Sequence, residues 1–80
     1  MARNYYTVPG GVEVTLAFSL VGATRGQYLL DPDMSPPQPA SVTEISTPHG
    51  VWRRVLLRQE TKAFYSADDR SDTVRAWVRC

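Results

Sequence analysis

The sequence offers few side chains that could perform catalysis or hold a metal. It has one histidine and one cysteine, His49 and Cys80, so a nucleophilic site of the Ser-His-Asp or Cys-His type would have to use His49. That histidine lies between a proline and a glycine, where a polar residue suits a turn. One histidine and one cysteine could hold zinc only with help from carboxylates. We therefore predict no catalytic residue, no metal site and no cofactor.

Aspartates form two small groups. Asp31 and Asp33 flank a proline, and a polar stretch near the C-terminus holds Asp68, Asp69 and Asp72. Paired carboxylates perform acid–base chemistry when an apolar pocket separates their pKa values. Calcium requires six or more oxygen ligands in a defined order, and the second group lacks the glycine and the terminal glutamate of an EF-hand loop. We interpret both groups as solvated loop residues.

Tryptophans and arginines alternate along two stretches that are predicted to be strands. Alternate residues of a strand share a face, which groups Arg75, Trp77 and Arg79, and in the same way Trp52, Arg54 and Arg58. Three interpretations remain open. Trp and Arg are frequent at the centres of protein interfaces, aromatics with arginines can stack bases and neutralise phosphates, and arginine stems can simply cover an outward tryptophan.

Charge and hydropathy limit the class of partner. The net charge is +1, so there is no overall attraction to nucleic acid or to an anionic membrane. No stretch approaches the roughly 20 apolar residues of a membrane-spanning helix, and the first residues lack the apolar core of a signal peptide. We expect a protein partner in preference to nucleic acid, no membrane association, and a reducing compartment. The chain could also form homo-oligomers.

The most regular pattern lies at residues 12–21. Large apolar residues occur at every second position (Val12, Val14, Leu16, Phe18 and Leu20), which predicts a half-buried central strand. Residues 4–8 are aromatic and β-branched and predict a shorter strand. Because Pro-Gly-Gly separates the two stretches, we expect them to form a β-hairpin.

The remainder of the chain also favours strands. Residues 27–30 predict a short strand, and four prolines within residues 31–40 predict an extended crossover without helix or central strand. Residues 41–47 and 51–58 are expected to form a hairpin around a turn closed by Gly50. Strands at 61–66 and 73–79 and a polar loop at 67–72 follow. A helix from residue 48 to about residue 63, opened by Pro48, is the alternative.

These elements indicate one all-β domain of 80 residues. Six or seven short strands with regularly spaced turns are typical of a small antiparallel β-sandwich or barrel. The alternative is an α+β domain with the helix at residues 48–63.

The first half of the chain resembles a family of small uncharacterised bacteriophage and prophage proteins. The likeness rests on Tyr-Thr-Val-Pro-Gly-Gly at residues 6–11, Gly-Gln-Tyr at 26–28 and the proline-rich stretch, and it covers about residues 5–45. The resemblance implies a viral origin, a place in the host cytoplasm or the virion, and a non-enzymatic role. We expect an accessory protein that binds a protein partner, for example as a host-directed inhibitor. A decoration or tail-associated subunit of the virion and a nucleic-acid-binding β-domain are the alternatives.

Overall fold

A computed structural model of the chain describes residues 2–63 and 70–80. The strands in these ranges are β1 (Ala2–Thr7), β2 (Tyr28–Leu30), β3 (Glu44–Thr47), β4 (Gly50–Ala63) and β5 (Arg70–Arg79), and a single 3₁₀ turn covers Asp31–Asp33. No described segment forms a helix with the length and hydropathy needed to cross a membrane. The predicted all-β class is confirmed, and the alternative helix at residues 48–63 is wrong.

One antiparallel sheet contains all the described strands, in the order β1-β4-β5-β2, with β3 beside the start of β4. The long strand β4 organises the sheet. One of its edges pairs with β5 from Trp52 to Thr61, and its other edge pairs first with β3 and then with β1. The sheet curls into a half-barrel, so that both of its faces come to be partly covered.

The predicted hairpin between β3 and β4 is confirmed. Its turn is Pro48-His49, closed by Gly50 with φ +117°, a conformation that favours glycine. The Thr47 hydroxyl oxygen accepts the His49 N–H at 3.0 Å, and the hydroxyl donates to the Gly50 carbonyl at 2.8 Å. A helix at this point would have placed this left-handed glycine in its first turn.

The predicted central strand at residues 12–21 is wrong. The segment makes only isolated bridges, between Thr7 and Glu13 and between Leu16 and Tyr28. It passes from the edge of β1 to the edge of β2, so it runs along neither edge for long. The predicted hairpin with residues 4–8 forms only beside its turn, where the Val8 N–H donates to the Val12 carbonyl and Thr7 bridges Glu13 in antiparallel sense. Farther along, the segment leaves β1, whose other edge pairs with the far end of β4.

The predicted count of six or seven strands is also wrong, because the described residues contain five. The strands expected at residues 51–58 and 61–66 are one strand as far as Ala63, since Gln59 and Glu60 continue the ladder opposite Asp72 and Ser71. Residues 64–66 lie outside the described range. Of the loop expected at 67–72, residues 67–69 also lie outside it, and 70–72 belong to β5. A single curled sheet is seen, without a second sheet among the described residues.

The core lies between one face of the sheet and the two connections that cross it. The buried cluster there consists of Leu29, Met34, Trp52 and Trp77, with the partly buried Ala17, Leu20, Ala23, Val42 and Ile45 packed on it. Leu57 and Ala76 are also buried, outside this cluster. The proline-rich connection therefore does more than cross an edge. The prediction of an extended crossover along one edge is wrong at its start, where a single 3₁₀ turn forms and Met34 enters the core.

Candidate interaction surfaces

Trp77 is at the centre of a buried polar cluster. Its side chain is 0% exposed, and the indole Nε1–H donates to Asp31 Oδ1 at 2.8 Å. The Arg54 guanidinium lies over the indole, 4.4 Å from the ring centroid, and Arg54 Nη2 is 3.5 Å from the same carboxylate oxygen. The prediction that Trp77 faces outward is wrong, and the arrangement matches the interpretation in which an arginine covers a tryptophan.

Arg54 holds the proline-rich connection against the sheet. It lies opposite Trp77 in the β4–β5 register, and its side chain is only 9% exposed. Besides the contact with Asp31, where the connection begins, Nη2 donates to the Gln38 carbonyl at 3.2 Å. A charge buried to this extent requires such partners to offset its lost hydration. We therefore assign Arg54 a structural role in the free protein.

Trp52 is likewise in the core and not on an outer face. It is 0% exposed and lies opposite Ile45 in the β3–β4 register. Its indole nitrogen is buried and has no hydrogen-bond partner in the described part of the chain. The predicted exposure of Trp52 is therefore also wrong, and neither tryptophan is available on the surface to stack a base or fill a partner's pocket.

Arg79 secures the β3–β4 turn. Its Nε–H donates to the His49 carbonyl at 2.9 Å, and Nη1 also bonds the Cys80 carbonyl. The guanidinium lies so close to Gly50 that an added Cβ there would collide with it. His49 and Cys80 themselves are exposed at this end of the sheet, which agrees with the interpretation of His49 as a turn residue.

Two of the predicted interface arginines do lie on the surface. Arg58 and Arg75 are exposed, and so is Leu56 at 60%. The register pairs Leu56 with Arg75 and Arg58 with Thr73, which places these side chains on one face of the sheet. The sequence had indicated the arginines but not the exposed leucine between their positions.

The candidate catalytic and metal-binding residues do not converge among the residues described. No group of three or more His, Cys, Asp or Glu side chains there could hold a metal ion. Asp31 is engaged by Trp77 and Arg54, whereas Asp33 and Asp72 are exposed. Asp68 and Asp69 lie outside the described residues, so the interpretation of their group stays a prediction.

The most apolar surface is a feature that the sequence reasoning placed inside the protein. Residues 12–21, which we call the apolar loop, expose Val12 at 65%, Phe18 at 106% and Val21 at 64%. Leu16 is exposed at 37%. Gly11 and Gly22 flank the segment and adopt positive φ angles of +85° and +82°. The two glycines were the signal in the sequence that the segment begins and ends in sharp bends.

The apolar loop is attached to the sheet through its backbone. The Val14 N–H donates to the Tyr6 carbonyl at 2.9 Å, and the Ala17 N–H donates to the Tyr28 carbonyl at 2.8 Å. The Tyr28 N–H in turn donates to the Thr15 carbonyl at 2.9 Å. These bonds join the loop to β1 and to β2, so its exposed side chains are presented on a fixed backbone.

A groove with a volume of about 370 Å³ opens at the point where β2 ends. We call it the β5 groove, because it runs beside the part of β5 that β2 does not reach. Its lining is mostly apolar and consists of Tyr6, Leu30, Asp31, Pro32, Gln59, Val74 and Arg75. Such a surface suits an apolar side chain more than a charged small molecule.

Comparison with known proteins gives no further guide to these surfaces. The chain matches no protein-family model, no curated protein and no solved structure. The resemblance to small phage proteins therefore stays a prediction, and the function must be argued from the surfaces themselves.

Proposed function

We propose that this chain is a small phage-type accessory protein that binds a protein partner, without catalysis, through the apolar loop. The observation that carries the proposal is the exposure of Phe18, which is 106%. A contiguous exposed apolar surface on a small soluble domain is typical of a protein–protein contact. Val12, Leu16 and Val21 extend the apolar character to either side of Phe18.

The attachment of the loop supports this role. Since the backbone of residues 14–17 is hydrogen-bonded to both β1 and β2, binding would order little additional chain. A preorganised surface loses less conformational entropy on association than a flexible one. The loop therefore combines an exposed apolar area with a hydrogen-bonded backbone, and both properties favour a contact surface.

A capture experiment with paired variants tests the proposal. Immobilised wild-type protein, Phe18→Asp and Leu56→Asp would each be incubated with bacterial lysate, and bound proteins quantified by mass spectrometry. Leu56 is the control, because it is an exposed apolar residue (60%) that lies on the sheet and outside the apolar loop. We expect one protein to be enriched on wild type and on Leu56→Asp and lost on Phe18→Asp. Equal enrichment on all three would refute the assignment of the loop.

A virion component is the second candidate, and the open strand edges of the sheet favour it. Exposed edges support association between copies or with other β-proteins. Mass spectrometry of purified particles distinguishes this role from that of a host-directed factor. The nucleic-acid alternative depended on exposed tryptophans, and both are buried. A nucleic-acid-binding role would require an affinity for nucleic acid that falls steeply as the salt concentration rises.

A further inference from the structure

The β5 groove lies on the concave face of the curled sheet. Antiparallel partners and alternate residues of a strand share a face, which places one groove residue from each of β1, β4, β5 and β2 on the same side: Tyr6, Gln59, Val74 and Leu30. In a flat sheet β1 and β2 would be about 14 Å apart, because three strand spacings of about 4.8 Å separate them. Tyr6 and Leu30 nevertheless line one groove, so the sheet curls around this face.

The same face continues from the groove into the interior of the half-barrel. Leu57 lies opposite Val74, and Ala76 lies opposite Leu30; Leu57 and Ala76 are 1% and 0% exposed. On the remaining side the apolar loop joins β1 to β2 through its backbone hydrogen bonds to both strands. The groove is therefore the mouth of a barrel-like interior, which is a frequent place for small-molecule sites in β-proteins.

The size and the lining of the groove limit the class of ligand. Its volume of about 370 Å³ lies near the lower end of the roughly 300–1,000 Å³ that is typical of small-molecule sites. Leu30, Pro32, Val74 and the aromatic Tyr6 are among its walls. The interior therefore favours one apolar chain, and a charged end of the ligand has to stay at the rim, where it keeps its hydration or gains a partner.

The charge available at the rim is positive. Arg75 lines the groove and is exposed, and its guanidinium forms no ion pair with the described residues. The other charged group of the lining, the Asp31 carboxylate, accepts the Trp77 Nε1–H at 2.8 Å and lies 3.5 Å from Arg54 Nη2. Since Arg54 compensates Asp31, Arg75 is the charge that remains to attract a ligand, and it selects an anionic end.

We propose that the β5 groove binds a single-chain aliphatic carboxylate, with the chain inside the groove and the carboxylate paired with Arg75. The planar guanidinium of arginine matches a carboxylate with two parallel hydrogen bonds. The groove shares no residue with the apolar loop. Ligand binding is therefore a second function, independent of the protein contact proposed for the loop.

Isothermal titration calorimetry with octanoate tests the proposal, below the concentration at which octanoate forms micelles. Octanol has the same chain length and no charge, so it is the comparison ligand. We expect wild type to bind one molecule of either ligand. Val74→Phe fills part of the groove and should weaken both ligands about tenfold or more, because the chain loses its space. Val12→Phe is the matched control, since it makes the same change at a position that is 65% exposed and outside the groove.

Charge reversal tests the role of Arg75. Arg75→Glu should weaken octanoate about threefold or more, because an attraction between exposed charges becomes a repulsion, and it should leave octanol unchanged. Arg25→Glu, the same reversal at an exposed position outside the groove, should change the affinity for neither ligand. Circular dichroism confirms that each variant is folded, and if Val74→Phe is not, the Arg75→Glu comparison decides.

Heteronuclear NMR shows where octanoate binds. Shifts of the Leu30 and Val74 amide signals support the proposal, whereas shifts confined to residues 12–21 would assign the ligand to the apolar loop and overturn it. Octanoate that does not bind at millimolar concentration, that binds folded Val74→Phe as tightly as wild type, or that responds to Arg75→Glu no more than octanol does, also overturns it. Loss of a captured protein on Phe18→Asp bears on the apolar loop alone, so the two proposals stand or fall separately.

Discussion

The two buried tryptophans provide a matched test of the contact between Trp77 and Asp31. Both side chains are 0% exposed, but Trp77 Nε1 donates to Asp31, whereas Trp52 Nε1 has no partner in the described part of the chain. Replacing either by phenylalanine removes the same part of the ring, so the cavity contributions to the free energy of unfolding are comparable. The two variants therefore differ mainly in what happens to the indole N–H.

The expected difference follows from the hydrogen bond. Trp77→Phe breaks a bond to a charged acceptor, which contributes about 1.5–3 kcal/mol. Trp52→Phe removes an unpaired buried donor, which relieves a penalty of about 1–3 kcal/mol. We expect Trp77→Phe to be less stable than Trp52→Phe by at least about 1.5 kcal/mol. A domain of this size has only about 4–12 kcal/mol of total stability.

Urea unfolding followed by far-ultraviolet circular dichroism measures this difference. Fluorescence is unsuitable, because each variant keeps a different tryptophan. Leu56→Ala serves as the control, since Leu56 is exposed at 60% and its truncation should change the free energy of unfolding by less than about 0.5 kcal/mol. Equal losses in the two phenylalanine variants, or a larger loss in Trp52→Phe, would refute the role given to the Asp31 contact.

Four further variants test other contacts by the same unfolding measurement. Arg54→Lys keeps the charge but loses the planar contact over the indole, and we expect the free energy of unfolding to fall by about 1–2 kcal/mol. An unchanged free energy of unfolding would show that this contact does not stabilise the fold. Gly50→Ala forces a side chain into φ +117° and should destabilise by about 1–3 kcal/mol. Leu20→Ala should cost about 1–3 kcal/mol, whereas Phe18→Ser should be neutral, and the reverse order would mean that the apolar loop is oriented differently.

The β3–β4 hairpin and the strand β5 could be predicted because their signals are local. Alternation on both sides of Pro48-His49-Gly50 specifies a turn with a left-handed glycine, and Gly50 adopts it. The same kind of signal failed at residues 12–21. Alternation states which side chains would share a face if the segment were a strand, but not whether a neighbouring strand is free to pair along it. Here β4 already pairs with β1 and β5.

The orientation of Trp77 was missed because the prediction assumed one buried face. Ala76 and Trp77 are adjacent in sequence and lie on opposite faces, yet both are 0% exposed. The face with Trp77 is covered by the connections that contribute Leu20 and Met34. Contacts between residues this far apart in sequence leave no periodic signal. The alternation of Trp and Arg therefore predicted the surface positions of Arg58 and Arg75 but not the burial of Trp77.

The apolar loop divides its own residues in a way that burial alone does not explain. Ala17 and Leu20 face the core, whereas Phe18 between them is fully exposed. Exchanging the positions of alanine and phenylalanine would bury a larger apolar area, worth about 1.5–3 kcal/mol for a phenylalanine. The observed arrangement leaves that apolar area exposed, while Ala17 packs on the core and its N–H bonds the Tyr28 carbonyl. This division of small, inward residues and a large, outward side chain supports the proposal that the loop is a contact surface.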